Sequence, residues 1–139
     1  MGHDIYARPT DQEDVTAQYF RMNMSGPSAP LYSALNAEPH YAGVSGDGGE
    51  ENFTRDEIIT AIQEFPNIFS AYVDIKPTAE QLKENYAWRF SDVEPKYDWT
   101  QEETIGYYMS AFVSIIEFLT RCLALFDEFK TDSITIRFA

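Results

Sequence analysis

In the first and last segments of the chain, residues suited to a buried face alternate with polar residues. Residues 3–8 (HDIYAR) and 132–139 (DSITIRFA) both show this alternation, and its period of two residues is that of a half-buried β-strand. Residues 15–22 (VTAQYFRM) are rich in β-branched and aromatic residues and follow a polar turn, so they are predicted to form a hairpin with the first strand. The alternation slips between Tyr19 and Phe20, which is compatible with a β-bulge at this point and leaves a short helix as the competing interpretation.

Helical periodicity covers most of the remaining chain. Residues 27–37 predict a short helix and residues 101–130 a long one. Signatures of the form T-x-x-[E/Q], whose side chains satisfy free amides at a helix start, precede periodic runs and begin at Thr54, Thr78 and Thr100. The run after Thr54 is predicted to end at Pro66, because proline disfavours helical backbone at the residue before it.

These elements predict a single α+β domain over residues 1–139. Its small antiparallel sheet would have three strands, the N-terminal hairpin plus the C-terminal strand. The sheet would pack against the long C-terminal helix and two to three shorter helices. A lone hairpin is only marginally stable in water, so the C-terminal strand is expected to join it.

The long helical segment is apolar enough to resemble a transmembrane helix over residues 105–126. Glu117 and Arg121 argue against that interpretation, because a charge at the bilayer centre costs roughly 2.5–3.5 kcal/mol. They stand four residues apart and can pair on an exposed edge. The segment is therefore interpreted as a core helix, and no membrane partner is expected.

The net charge of −13 is concentrated in the middle of the chain. Residues 47–103 hold fourteen acidic and five basic residues, a net charge of −9. Such a surface repels the phosphates of nucleic acids and attracts basic proteins, so no nucleic-acid partner is expected. Solubility alone is the simpler explanation of the same charge.

Cys122 is the single cysteine, so the chain forms no internal disulfide. This fits a reducing cytoplasm, and the first residues contain acids and no apolar signal-peptide core. A cytoplasmic protein is therefore expected. Cys122 falls in the apolar stripe of the long helix, where burial would raise its pKa and make it a poor nucleophile.

Residues 45–49 (SGDGG) form a glycine-rich stretch ahead of the second helix. The spacing and lysine of a Walker loop are absent, and Asp47, Glu50 and Glu51 would repel a phosphate. An EF-hand register from Asp47 places Ile58 where the bidentate glutamate belongs, which leaves only an irregular calcium site on the three carboxylates. The glycines are instead interpreted as allowing a tight turn, and the acids as favouring the helix N-terminus.

His3 and His40 are the two imidazoles, and no H-x-x-x-H or C-x-x-C spacing is present. A structural zinc site and a cofactor are therefore not expected. A dispersed metal site built from His3, His40 and Asp47, with Asp4 as a neighbouring carboxylate, is the alternative hypothesis. It would make the protein a small metal-dependent enzyme or a metal-binding protein. In the simpler interpretation both histidines are solvated.

Residues 86–99 (YAWRFSDVEPKYDW) have the composition of an interface. Aromatic and arginine side chains are enriched at interface hot spots, and here they lie among acids. The candidate partner-binding residues are Trp88, Arg89, Asp92, Glu94, Tyr97, Asp98 and Trp99. Alternatively, the aromatic side chains cap the core between two helices or form a homodimer contact.

Three stretches, MGHDIYA at 1–7, LYSALNAEPHYAGVSGDGG at 31–49 and FTRDEI at 53–58, resemble a group of small uncharacterised bacterial proteins. Members of that group open with M-G-H-D-I, form a hairpin and carry a glycine-rich loop before a capped helix. The resemblance implies a stand-alone bacterial cytoplasmic or phage-borne protein. It transfers no catalytic residue.

A small acidic binding module without enzyme activity is the leading hypothesis. It would present the acidic middle of the chain and the stretch from Trp88 to Trp99 to a basic protein, in the way that inhibitors and immunity proteins of basic nucleases use charge complementarity. The metal-dependent alternative requires His3, His40 and Asp47 to converge in one pocket.

Overall fold

A four-stranded antiparallel sheet is the centre of the structure. The computed structural model describes residues 2–23, 27–73 and 101–139. The strands in these ranges are β1 (Gly2–Pro9), β2 (Gln18–Asn23), β3 (Glu50–Phe53) and β4 (Ile134–Phe138). The helices in these ranges are α1 (Ala29–Ala34), a 3₁₀ turn (Glu38–His40), α2 (Arg55–Val73) and α3 (Gln101–Glu128). The α+β class, the antiparallel sheet and the long C-terminal helix are thereby confirmed.

The strand order is β2-β1-β4-β3, so the prediction of three strands is wrong. The additional strand, β3, has four residues and begins Glu50-Glu51-Asn52, a composition with low β-propensity. It forms because β4 offers a second edge: Ile136 pairs with Ala7 of β1 on one side and with Glu51 of β3 on the other. The C-terminal strand is therefore an inner strand of the sheet.

Alternation along the strands decides which face of the sheet is buried. Ile5 and Ala7 of β1 and Ile136 of β4 are fully buried. The helices pack on this face, and the ring of Phe20 on β2 stacks on Phe118 of α3 with centroids 5.3 Å apart. β2 is a strand, as the hairpin interpretation predicted, and Tyr19 points to the opposite, exposed face.

The capping box at the start of α2 is confirmed. The Thr54 amide donates to the Glu57 carboxylate at 3.0 Å, and the Glu57 amide donates to the Thr54 hydroxyl at 3.3 Å. The corresponding signatures at Thr78 and Thr100 begin outside the described residues.

The predicted end of α2 at Pro66 is wrong, since the helix continues to Val73. Phe65 and Phe69 lie on either side of the proline, and both rings contact Phe112 of α3 at 5.3 Å. An interior proline costs about 3 kcal/mol, whereas burying a phenylalanine contributes roughly 1.5–3 kcal/mol. Burial of the two rings against α3 therefore offsets the cost of the proline.

Helix α3 is the main helical cover of the sheet. Its segment Glu103–Glu128 is long and apolar enough to cross a membrane by length and composition, but 56% of its most apolar window is buried within the fold. Core helices of soluble proteins commonly have this composition, so the feature is weak evidence of a membrane span. Cys122 is fully buried, and this burial raises the pKa of its thiol to about 12, as the sequence predicted.

The contact between α2 and α3 predicts the stability effect of Phe65→Ala. Because Phe65 is fully buried, its truncation should lower the free energy of unfolding by about 3–5 kcal/mol, measured by urea denaturation. Gln63→Ala, an exposed change on the same helix, should shift it by no more than about 0.5 kcal/mol. Similar losses in both variants would contradict the burial of Phe65 against α3.

Candidate functional site

The glycine-rich loop, defined here as residues 41–49, folds back onto the end of β4. The Gly48 amide donates to the Phe138 carbonyl at 2.7 Å, and the Phe138 amide donates to the Gly49 carbonyl at 2.9 Å. A bridge between Tyr41 and Gly46 closes the loop. The loop is thus a continuation of the β3–β4 pairing.

Two glycines of the loop meet separate requirements. Gly48 has φ of +83°, which favours glycine. Gly46 approaches β4 so closely that an added Cβ would lie 2.3 Å from the Phe138 carbonyl oxygen. The tight-turn interpretation is confirmed, whereas the role assigned to the acids holds only in part. Glu50 and Glu51 belong to β3, and the first turn of α2 contains Asp56 and Glu57.

His40 is held between two carboxylates. Its Nδ1 lies 3.0 Å from Asp47 and its Nε2 lies 3.0 Å from Glu51, while the ring stacks on Phe138 at 5.4 Å. Burial of the ring lowers its pKa, but the hydrogen bonds and charges of the two carboxylates outweigh this and raise the pKa of His40 overall. Since carboxylates only accept, a protonated ring that donates from both nitrogens is the state that fits.

The same contacts act on Asp47. Its carboxylate accepts from the Gly49 amide at 2.8 Å, and this bond together with the His40 ring lowers the pKa of Asp47. The His40 clamp, meaning His40 with Asp47 and Glu51, therefore ties the 3₁₀ turn, the glycine-rich loop and β3 together.

His3 is fully buried, which is contrary to the interpretation that both histidines are solvated. Its Nε2 lies 3.1 Å from the Gly43 carbonyl, and its Nδ1 lies 2.8 Å from the Tyr32 hydroxyl. Because a carbonyl only accepts, we assign the proton to Nε2 and let Tyr32 donate to Nδ1. Burial lowers the pKa of His3, against the opposing effects of Gly43 and Asp4, and favours this neutral form.

Ser28 lies 3.1 Å from Nε2 of His3, a pairing that resembles a serine nucleophile with its base. The tautomer argues against that chemistry, because a protonated Nε2 cannot take the proton of the Ser28 hydroxyl. Ser28 is also only 1% exposed. The hydrogen bonds of His3 to Ser28, Tyr32 and Gly43 instead hold β1, the start of α1 and the glycine-rich loop together.

The residues of the hypothetical metal site are distributed over three places. His40 and Asp47 meet directly, whereas the ring of His3 contacts the rings of Tyr32 and Tyr41 and neither His40 nor Asp47. Asp4 follows His3 on the strand and pairs with Arg21 on the outer face at 2.9 Å. Within residues 2–23, 27–73 and 101–139, no group of three or more potential ligands could hold a metal ion.

The three carboxylates of the hypothetical irregular calcium site, Asp47, Glu50 and Glu51, do not converge on one point either. Asp47 and Glu51 contact opposite nitrogens of His40, and Glu50 pairs with Arg8 at 3.2 Å. Asp47 and Glu51 are therefore already paired with His40, and Glu50 with Arg8.

The predicted partner-binding residues of the 88–99 segment, Trp88, Arg89, Asp92, Glu94, Tyr97, Asp98 and Trp99, lie outside the described residues. Their role remains a prediction.

A concentration of acid at one end of the fold was not predicted. Three segments meet there, residues 10–17, 54–57 and 127–133. The backbone amide of Thr10 donates to the Ser133 carbonyl at 3.1 Å, and Arg55 pairs with Asp127. The acidic end, as we name it, consists of eight exposed residues: Asp11, Glu13, Asp14, Asp56, Glu57, Asp127, Glu128 and Asp132. The same segments contain two bases, Arg55 and Lys130. Only the topology brings these separated segments together.

Comparison with family models, curated proteins and solved structures finds no significant match. The similarity to the bacterial group that opens with M-G-H-D-I therefore stays an expectation.

The close approach of Gly46 predicts the effect of Gly46→Ala. The added methyl group would collide with the backbone carbonyl of Phe138, so we expect a loss of about 1–3 kcal/mol in the free energy of unfolding. Val44→Ala, an exposed change in the same loop, should have little effect. Equal denaturation midpoints for Gly46→Ala and the wild type would contradict the geometry.

The His40 clamp predicts a pH-dependent stabilisation. A raised pKa means that protonated His40 stabilises the fold fully below its ordinary value of 6.5, and that this stabilisation is lost as pH rises through the raised value. The difference in melting temperature between wild type and His40→Gln should therefore be larger at about pH 5.5 than at about pH 8.5. Glu38→Gln, an exposed change in the same 3₁₀ turn, is the control. A difference for His40→Gln that does not change with pH would contradict the charged clamp.

Proposed function

We propose that the protein is a small acidic binding module, similar in mode of action to inhibitors and immunity proteins, that recognises a basic protein. The observation that carries the proposal is the acidic end, where eight exposed acids are opposed by two bases in the same segments. One of those bases, Arg55, is already paired with Asp127.

The environment of the acidic end suits recognition of a charged surface. Asp127 keeps a side-chain exposure of 79% even though it pairs with Arg55. Exposed ion pairs contribute little to folding stability, and like charges held close together repel one another, so folding stability does not explain this concentration of acids. Their summed field accelerates encounter with a positive partner and depends strongly on salt.

The sheet connects the three segments of the acidic end. These segments are joined by the pairing of Ile134 with Pro9 and with Phe53. A rigid presentation reduces the ordering cost that association has to overcome. The aromatic stretch from Trp88 to Trp99 remains the predicted source of apolar anchor contacts.

Binding to an identified partner tests the proposal. Proteins captured from source lysate at low salt would be identified, and each would be purified for titration. A basic partner should bind with an affinity that falls as salt rises. Asp14→Asn with Glu128→Gln should weaken binding by about 1 kcal/mol, roughly fivefold in Kd.

The matched control is Glu38→Gln with Glu64→Gln, which removes the same charge from exposed positions outside the acidic end. It should change Kd much less than the double change at the acidic end. Equal weakening by both pairs, binding that is independent of salt, or failure to capture any basic protein at low salt would argue against the proposed function.

A further inference from the structure

The outer face of the sheet, opposite the helices, carries an open pocket. Tyr6 and Arg8 alternate with the buried residues of β1 and therefore point away from the core. The pocket has a volume of about 350 Å³, which lies within the range of small-molecule sites. Its walls include Glu50 and Arg137 from the neighbouring strands and Glu13 from the β1–β2 turn.

Two charged side chains of this pocket, Arg8 and Glu50, already pair with each other. Arg8 contacts the Glu50 carboxylate at 3.2 Å and donates to the carbonyl oxygens of Pro9 and Thr10 at 3.1 and 3.0 Å. Only 18% of the Arg8 side chain is exposed. The guanidinium is therefore fixed in place and largely neutralised.

Two opposite charges on the pocket wall have no such partner. In the described part of the chain, neither the Arg137 guanidinium nor the Glu13 carboxylate makes a hydrogen bond or an ion pair. Arg137 is exposed although it lies on an inner strand, directly between Tyr6 and Glu50 in the register. The pocket thus presents one free positive and one free negative group.

We propose that this pocket binds a small zwitterion carrying one carboxylate and one ammonium group, as free amino acids do. The Arg137 guanidinium receives the carboxylate through charge-assisted hydrogen bonds. The Glu13 carboxylate receives the ammonium group. The Tyr6 ring, which packs against Tyr19 at 5.1 Å, supplies an apolar surface for the rest of the ligand.

The charge balance distinguishes a zwitterion from other small ligands. A dianion would be repelled by Glu13 and by the net charge of −13. A simple cation would leave Arg137 unpaired in the occupied pocket. A zwitterion has no net charge and complements both free groups.

The test is a titration of the ¹⁵N-labelled full chain, followed by NMR, with the free amino acids as probes. At least one should shift the backbone amide signals of Arg8, Thr135 and Arg137. Acetate alone and methylammonium alone should shift them much less at equal concentration. Arg137→Gln should weaken binding at least about tenfold, whereas Lys130→Gln, an equal loss of charge elsewhere, should not.

A second pair of variants tests the ammonium contact. Glu13→Gln should weaken binding, while Asp11→Asn, an exposed acid of the same turn outside the pocket lining, should leave it unchanged. The proposal is overturned if no amino acid shifts these signals, or if acetate shifts them as strongly as the amino acids do. It is also overturned if Arg137→Gln and Lys130→Gln have the same effect.

Discussion

The pairing of β4 on both of its edges is the constraint on which the rest of the structure depends. β4 joins the N-terminal hairpin to β3, and its inward residues Ile134, Ile136 and Phe138 are fully buried. An isolated hairpin has too little buried surface to be stable. β4 turns it into a four-stranded sheet with a continuous apolar face, onto which α3 packs.

The glycine-rich loop and both histidines depend on the same strand. Phe138 accepts and donates backbone hydrogen bonds with the loop, and its ring contacts both His40 and Tyr32. His3 contacts the ring of Tyr32 and His40 contacts the ring of Phe138, and the pKa values of the two imidazoles are shifted in opposite directions. His3 is buried with a lowered pKa, and His40 is clamped by carboxylates with a raised pKa. Burial prevails for His3, whereas at His40 two adjacent negative charges outweigh it.

The fold also distributes the charges of the chain unevenly over two surfaces, which share Glu13. Acids collect at the acidic end, where the β1–β2 turn, the start of α2 and the end of α3 meet. Among the described residues, three of the six bases, Arg8, Arg21 and Arg137, project from the outer face of the sheet. The face opposite the helices therefore mixes both signs of charge, and the acidic end is strongly negative. This difference underlies the two separate proposals, a basic protein for the acidic end and a zwitterion for the pocket.

The sequence by itself determined the local elements. Strand period identified β1 and β4, helical period identified α2 and α3, and the Thr54 capping box located the start of α2 through contacts within four residues. Each of these signals arises from residues that are neighbours along the chain, so no tertiary information was needed to detect them.

Tertiary structure decided the features whose energy comes from distant partners. β3 forms from polar residues because β4 has a free edge, and α2 passes through Pro66 because Phe65 and Phe69 bury against Phe112. The separation of His3 from His40, the meeting of three acidic segments and the pocket around Arg137 likewise depend on strand order. Sequence spacing carries no information about that order, because it is fixed by the sum of burial and backbone pairing over the whole fold.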